Sequence, residues 1–218
     1  MTQSLIIAIP KGRILEELNP LFQKINFRAE DDFYDDNTRK LIFSTNIKGL
    51  KIIKVRSFDV ATFVKFGAAD IGICGLDVLE EFKSPEIYRL LDLEIGKCRL
   101  SIAGKKEIVE KINFKDESHI KIASKYQNIT KNYFASQNIQ AQSIKLNGAM
   151  ELAPHLNLCD FIVDLVSSGK TLKENNLVEV ETLLNVSSYL AVNRNSFKIK
   201  NDSLKQVIKI FDVKNLIK

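Results

Sequence analysis

The sequence predicts an α/β protein of two lobes with a central cleft. Short apolar runs alternate with stretches of helical period, and the alternation passes through two successive blocks. The 218 residues leave each block room for its own core. Mostly parallel sheets are expected from this pattern. No repeat, low-complexity stretch or Gly/Ser linker interrupts it. The lobes are drawn at 1–93 with 183–218, and at 94–182. Crossings near Glu94 and Leu184 make a hinge, and the cleft is a natural place for a ligand.

In the first block, Ser4 to Ile9 reads as a strand. Lys11 to Ile25 follows with Ile14, Leu15, Leu18, Leu21, Phe22 and Ile25 on one helical face. Pro20 inside that face predicts a kink or break. Leu41 to Thr45 and Leu50 to Val55 read as strands. Asp59 to Phe66 reads as a helix with Ser57 as its N-cap. Ile71 to Cys74 is a buried strand that runs through Gly75 into a helix ending at Phe82.

In the second block, Leu100 to Ala103, Ile120 to Ala123, Ser143 to Leu146 and Phe161 to Leu165 read as strands. Ile129 to Ser136 and Met150 to Leu156 read as helices. Val178 to Leu184 and Ser188 to Val192 read as a strand pair returning to the first block. Asp202 and Ser203 cap a last helix with Leu204, Val207, Ile208 and Phe211 inward.

Composition narrows the function. Lys and Arg number 32 against 27 Asp and Glu, a net charge of +5 that is not gathered into one tail. That balance suits anionic small molecules at least as well as nucleic acid, whose binders more usually show a concentrated basic face. Cys74, Cys98 and Cys159 are scattered and odd in number, as expected of buried thiols in a reducing compartment. With two distant histidines and no C-x-x-C pair, a structural zinc or iron site is not expected. The opening MTQSLIIAIPKGR holds an apolar run too short for a signal peptide, and nothing reaches the length of a membrane span. A cytoplasmic protein is expected.

Five segments carry candidate chemistry. In Phe161-Ile-Val-Asp-Leu-Val-Ser-Ser-Gly-Lys-Thr171 a buried strand ends in Asp164, a small-residue loop follows, and Thr171 opens a helix. Successive backbone N–H groups of such a loop make a phosphate cradle. Gly169 allows close approach, Ser167, Ser168 and Thr171 add hydroxyls, and Lys170 adds charge. Asp164 can accept ribose hydroxyls or help hold Mg²⁺. Read alone, the segment is equally an ordinary strand–turn–helix connection with a serine cap. It is not a Walker loop, because Asp164 stands where that motif needs glycine.

The other segments are open in the same way. Ile9-Pro-Lys-Gly-Arg13 sets two cations and a glycine at a helix start, either for phosphate or as a solvated turn. Arg39, in Thr38-Arg39-Lys40, is a phosphate clamp or a surface charge. Small residues from Gly67 to Asp77 suit close backbone approach to a ligand or tight packing. Glu151, after Gly148-Ala-Met, faces the cleft or is a first-turn acid favoured by the helix dipole.

Taken in order and spacing, IPKGRILEELNPLF, TRKLIF, KVRSFDVATFVKFGAADIGICGLDVL, NGAMELAP and CDFIVDLVSSGKTLKENNLVEVE resemble the ATP phosphoribosyltransferases, from about Leu5 to Asn193. The resemblance implies the two-lobed fold of type II periplasmic binding proteins. It also implies the short form of the family, a catalytic homo-oligomer (a dimer) working in a hetero-octamer with a regulatory subunit that resembles histidyl-tRNA synthetase.

The implied reaction joins ring nitrogen 1 of ATP to phosphoribosyl pyrophosphate and releases pyrophosphate, opening histidine biosynthesis. Arg13 and Arg39 fall where the pyrophosphate-stabilising arginines belong, Arg13 across a subunit contact. Ser167, Ser168, Gly169, Lys170 and Thr171 take the ribose 5-phosphate. Glu151, Asp160 and Asp164 are candidates for the ribose hydroxyls or the Mg²⁺ environment, with Mg²⁺ carried by pyrophosphate. Lys11, Gly12, Arg56, Gly75 and Asp77 are candidates for the ATP side. The alternatives are a non-catalytic binding module of the same fold and a phosphoribosyltransferase for another base.

Overall fold

The computed structural model describes residues 4–35, 37–111, 113–117 and 119–212. The chain forms two compact units. One comprises Met1–Gly96 with Ser187–Lys218, and the other Lys97–Val186. The sequence pattern alone places these boundaries at 93/94 and 182/183.

The first unit contains β1 (Leu5–Pro10), α1 (Arg13–Lys24), β2 (Ile42–Ser44), β3 (Leu50–Val55), α2 (Ser57–Lys65), β4 (Ile71–Gly75), α3 (Leu76–Phe82) and β5 (Ile87–Asp92). The second contains β6 (Cys98–Lys105), α4 (Lys106–Lys111), β7 (His119–Ser124), α5 (Gln127–Ser136), β8 (Gln140–Lys145), α6 (Leu152–His155), β9 (Phe161–Val166), α7 (Lys170–Glu174) and β10 (Leu177–Val186). The chain returns to the first unit with β11 (Ser188–Asn193), α8 (Arg194–Ile199) and α9 (Asn201–Phe211).

The first sheet runs β2-β3-β1-β4-β11-β5. Both its faces are covered, which is why its central strands are apolar without alternation. Leu5, Ile7 and Ile9 of β1 pack with Leu18 and Phe22 of α1 and Leu204, Val207 and Phe211 of α9. Ala8 packs on the opposite side with Val60 and Val64 of α2. Gly72 of β4 belongs to that second face, where a Cβ would come 2.6 Å from Val64 and 2.7 Å from Val60. At Gly72, then, smallness serves helix-on-sheet packing rather than approach to a ligand.

The second sheet runs β10-β6-β9-β7-β8. Ala103, Ala123, Met150, Ile162, Val166 and Leu172 share one of its cores.

Several expectations are corrected. The sheets are mixed rather than mostly parallel: β1 is parallel to β3 and β4, and β7 to β8 and β9, while the other ladders are antiparallel. β10 and β11 are not a pair. Only Ser187 separates them, too little chain for a hairpin turn. β10 therefore pairs with β6 in the second sheet, and β11 with β4 and β5 in the first. Helix α1 runs unbroken through Pro20, which is exposed, so water can satisfy the carbonyl that the ring leaves unpaired. Ser57 is the first helical residue of α2, not its cap. Arg56 holds the extended cap conformation instead, with no side-chain cap bond. The last helix is capped by Lys200 and already includes Asp202 and Ser203.

Candidate active site

In the first unit, register brings four cations to one sheet edge. Pro10 pairs with Val55, and the Lys11 N–H continues that ladder to the Val55 carbonyl at 2.8 Å. Lys11, Gly12 and Arg13 therefore leave β1 beside Arg56, which leaves β3. Ala8 pairs with Gly72, so Gly75 comes level with Lys11 when that register is continued. β2 runs antiparallel to β3 with Ile42 opposite Ile53, which sets Arg39, just before β2, at the same end of β3. This is the C-terminal edge of the parallel strands, where α/β sheets bind ligands.

Gly12 takes φ +81, in the left-handed region that favours glycine, and its carbonyl accepts the Leu15 N–H at 2.8 Å to start α1. Arg13 is exposed and has Glu17 3.5 Å away, while Glu17 also accepts the Gly96 N–H at 2.7 Å. Arg39 and Arg56 are exposed, with no ion-pair partner among the described residues. Neighbouring Lys40, by contrast, is paired with Glu30 at 2.6 Å. Asp77 is brought near this edge, but its side chain is 5% exposed in the first turn of α3. There the helix dipole favours a carboxylate.

In the second unit, β9 runs into Ser167-Ser168-Gly169 and then α7. Gly169 has φ +76. The N–H groups of Ser167, Ser168, Gly169, Thr171 and Leu172 find no protein acceptor among the described residues. Ser167, Ser168, Lys170 and Thr171 are exposed. The Lys170 N–H goes to Ser168 Oγ at 3.3 Å, and the Lys170 ammonium stands 3.7 Å from Glu174. A row of unused donors with Gly169 in their midst is the chemistry of an anion cradle.

Asp164 is three residues upstream of the loop and accepts the Leu165 N–H at 2.8 Å. Burial pushes its carboxyl above the usual range, the bond from Leu165 works against that, and the negative charge of Glu151 adds to it. Lys125 acts in the opposite direction. Glu151 is half-buried and follows Ala149, a non-glycine residue with φ +52. The structure thus brings Asp164, Glu151 and Lys125 within electrostatic reach.

It does not bring Asp160 to the loop. Asp160 precedes β9 at its other end, where its carboxylate accepts the Lys121 N–H and its own N–H goes to the Lys121 carbonyl, both at 2.9 Å. That pairing joins β9 to β7.

A family model described as HisG: ATP phosphoribosyltransferase matches residues 56–212. The chain belongs to the ATP phosphoribosyltransferase family. An ATP phosphoribosyltransferase of Rhodospirillum rubrum is 53% identical over 211 residues, covering 95% of this chain and 91% of that one. One from Paramagnetospirillum magneticum is 53% identical over 207 residues. Among solved structures, the ATP phosphoribosyl transferase (HisG:HisZ) complex of Thermotoga maritima is similar at TM-score 0.79 and 31% identity, covering 95% of this chain and 96% of that one. The substrate-binding protein of an amino acid ABC transporter is similar at TM-score 0.56 with 14% identity, a likeness of fold.

The ATP phosphoribosyltransferase reaction transfers phosphoribosyl to ATP as the first step of histidine biosynthesis, and this chain is an enzyme of that class. Among its described residues no helix is long and apolar enough to cross a membrane.

Sequence reasoning missed Lys125, which follows β7 and shows no motif of its own. It also missed Arg99. In Cys98-Arg-Leu-Ser-Ile-Ala103 the two-residue period puts Arg99 and Ser101 on one strand face, which was the available signal.

Proposed function

We propose that the two units divide the substrates, the second holding phosphoribosyl pyrophosphate by its 5-phosphate and the first gripping the phosphates of ATP and the departing pyrophosphate. The observation that carries this is the convergence of Lys11, Arg13, Arg39 and Arg56 on one strand-end edge, with Arg39 and Arg56 unpaired among the described residues. The unused donors of the Ser167–Thr171 loop support the second half of the reading.

In the reaction, adenine N1 forms a bond to the anomeric carbon of the ribose. The bond from that carbon to pyrophosphate breaks, and its electron pair leaves on the pyrophosphate oxygen. The positive charge gained by the adenine is removed when its exocyclic amino group loses a proton. No protein nucleophile is needed. The chain's task is to align two polyanions and stabilise charge on the leaving group. Arg13 and Arg39 supply that stabilisation, Arg13 toward a neighbouring subunit's substrate. Arg56 and Lys11 hold ATP phosphates. Gly12 and Gly75 leave their backbone open to it. Asp164 and Glu151 take the ribose hydroxyls.

Among the described residues no group of three or more His, Cys, Asp or Glu could hold a metal ion. Mg²⁺ would enter chelated by pyrophosphate and help neutralise its charge, and Asp164 and Glu151 would be the carboxylates nearest to it. Asp160 is left with a structural role by its bonds to Lys121.

The working assembly is a catalytic dimer within a hetero-octamer, with a regulatory subunit resembling histidyl-tRNA synthetase. The HisG:HisZ complex from Thermotoga maritima supports a second subunit. The site of action is the cytoplasm.

The test is pyrophosphate release on mixing the purified chain with ATP, phosphoribosyl pyrophosphate and Mg²⁺, alone and with the regulatory subunit. Adenine, guanine and uracil replace ATP as controls. Release with a free base but not with ATP would remove the ATP assignment.

A further inference from the structure

We propose that Arg99 is a positioning residue for the phosphate loop, its guanidinium clamped by Glu179 and pinning the Ser167 carbonyl so that the Ser168 N–H is aimed at the bound anion. The inference rests on the reading of Ser167–Thr171 as the 5-phosphate cradle. Arg99 lies directly across the β6–β9 ladder from Val166, one residue before the loop. Its Nη1 donates to the Ser167 carbonyl at 3.2 Å. Its Nε and Nη2 each donate to Glu179, at 2.5 Å. Glu179 is itself fixed by Ser101 Oγ at 2.7 Å and Thr182 Oγ1 at 3.3 Å. A planar fork held at two of its nitrogens has little freedom at the third.

The consequence follows from the peptide unit. In a trans peptide the carbonyl of one residue and the N–H of the next point in opposite directions in one plane. Fixing the Ser167 carbonyl toward Arg99 therefore turns the Ser168 N–H away from Arg99, and that N–H is one of the donors without a protein acceptor. Arg99 does this without offering net charge to the anion, because Glu179 cancels its charge at contact distance. Its role is geometric and distinct from that of a phosphate ligand.

Calorimetric titration of phosphoribosyl pyrophosphate and, separately, ATP into the whole protein tests this, using wild type, Arg99→Ala, Arg99→Lys, Glu179→Gln and the loop variant Gly169→Val. Arg99→Ala is expected to weaken phosphoribosyl pyrophosphate about tenfold and leave ATP unchanged, and millimolar ethylguanidinium restores the loss. Arg99→Lys keeps the pair with Glu179, but one ammonium cannot also reach Ser167, so it shows the same selective loss with the fold intact. Glu179→Gln shows a smaller loss that does not add to that of Arg99→Ala.

Equal weakening of both substrates together with a lowered unfolding midpoint would mean a structural role and overturn the proposal. Unchanged binding in the Arg99 variants with loss in Gly169→Val overturns it while the cradle stands. Unchanged binding in every variant, Gly169→Val included, removes the cradle and the proposal together.

Discussion

The carboxylate of Asp70 lies 2.9 Å from the ammonium of Lys200. The same carboxylate accepts Ser196 Oγ at 2.6 Å and the Ile6 N–H at 2.9 Å, and it is 4% exposed. One side chain thus ties β1 and the approach to β4 to the two C-terminal helices. Asp70 is buried but Lys200 is 29% exposed, so removing the carboxylate costs mainly its lost hydrogen bonds and the donors left unpaired, about 1–3 kcal/mol. Asp70→Ala is expected to lower stability by about that amount in urea unfolding, with KM for both substrates unchanged wherever the variant is folded.

Gly169→Val tests the cradle. A Cβ there meets nothing closer than 3.9 Å, so space is not the obstacle. The φ of +76 is, since a side chain in the left-handed region costs about 1–2 kcal/mol, more for a β-branched one, and the loop would shift to relieve it. KM for phosphoribosyl pyrophosphate should rise about tenfold or more, with KM for ATP unaltered. Steady-state kinetics with each substrate varied in turn decides it.

Arg39→Ala tests leaving-group stabilisation. The side chain is exposed and bears on no ion pair among the described residues, so its loss should leave stability unchanged. If it acts in the transition state, kcat falls by about 10²–10³ while KM moves little. Unchanged turnover with a raised KM would make it a binding residue only.

Asp164→Asn separates function from stability. Burial and Glu151 raise the native carboxyl above its ordinary value, so the folded state holds that proton to higher pH than the unfolded chain does. Its ionised form is therefore a cost above the raised value, relieved as pH falls through it. The amide still accepts the Leu165 N–H. The variant should melt higher than wild type at pH 7, the gap should close toward acid pH, and use of phosphoribosyl pyrophosphate should weaken. Scanning calorimetry across pH, with kinetics at pH 7, reads both.

Glu179 carries the opposite sign. Its bond to Arg99 leads the effects that hold it at about 2 against an ordinary 4.5. The stability it contributes is complete above 4.5 and is lost as pH falls from there toward about 2. Glu179→Gln should flatten that part of the acid unfolding curve and leave the neutral side lower.

What the sequence revealed followed what is local. The run Leu50 to Val55 was read with its observed ends, because an apolar run bounded by Gly49 and Arg56 has few other ways to fold. β5 was missed, since Ile87–Asp92 is partly exposed and shows no clean alternation. The partner of β10 was missed because a strand's own residues do not name the strand it will join. At the site, the loop and the cations were legible as residue types at strand ends. The convergence of the cations at one edge of the first sheet was not, as it depends on the register of three ladders. Asp160 looked equivalent to Asp164, but it precedes β9 and is tied to Lys121, whereas Asp164 lies within β9 three residues before the loop.

The late arrival of β11 has a consequence during synthesis. β4 and β5 are neighbours only through β11, so each keeps an open edge until the ribosome has delivered Ser188–Asn193 and the helices after it. The second unit is one continuous stretch and can complete its sheet as soon as β10 emerges. The nascent chain thus carries a finished inner domain beside an unfinished outer one, and for that interval the bare edges of β4 and β5 are where wrong strand pairing would begin.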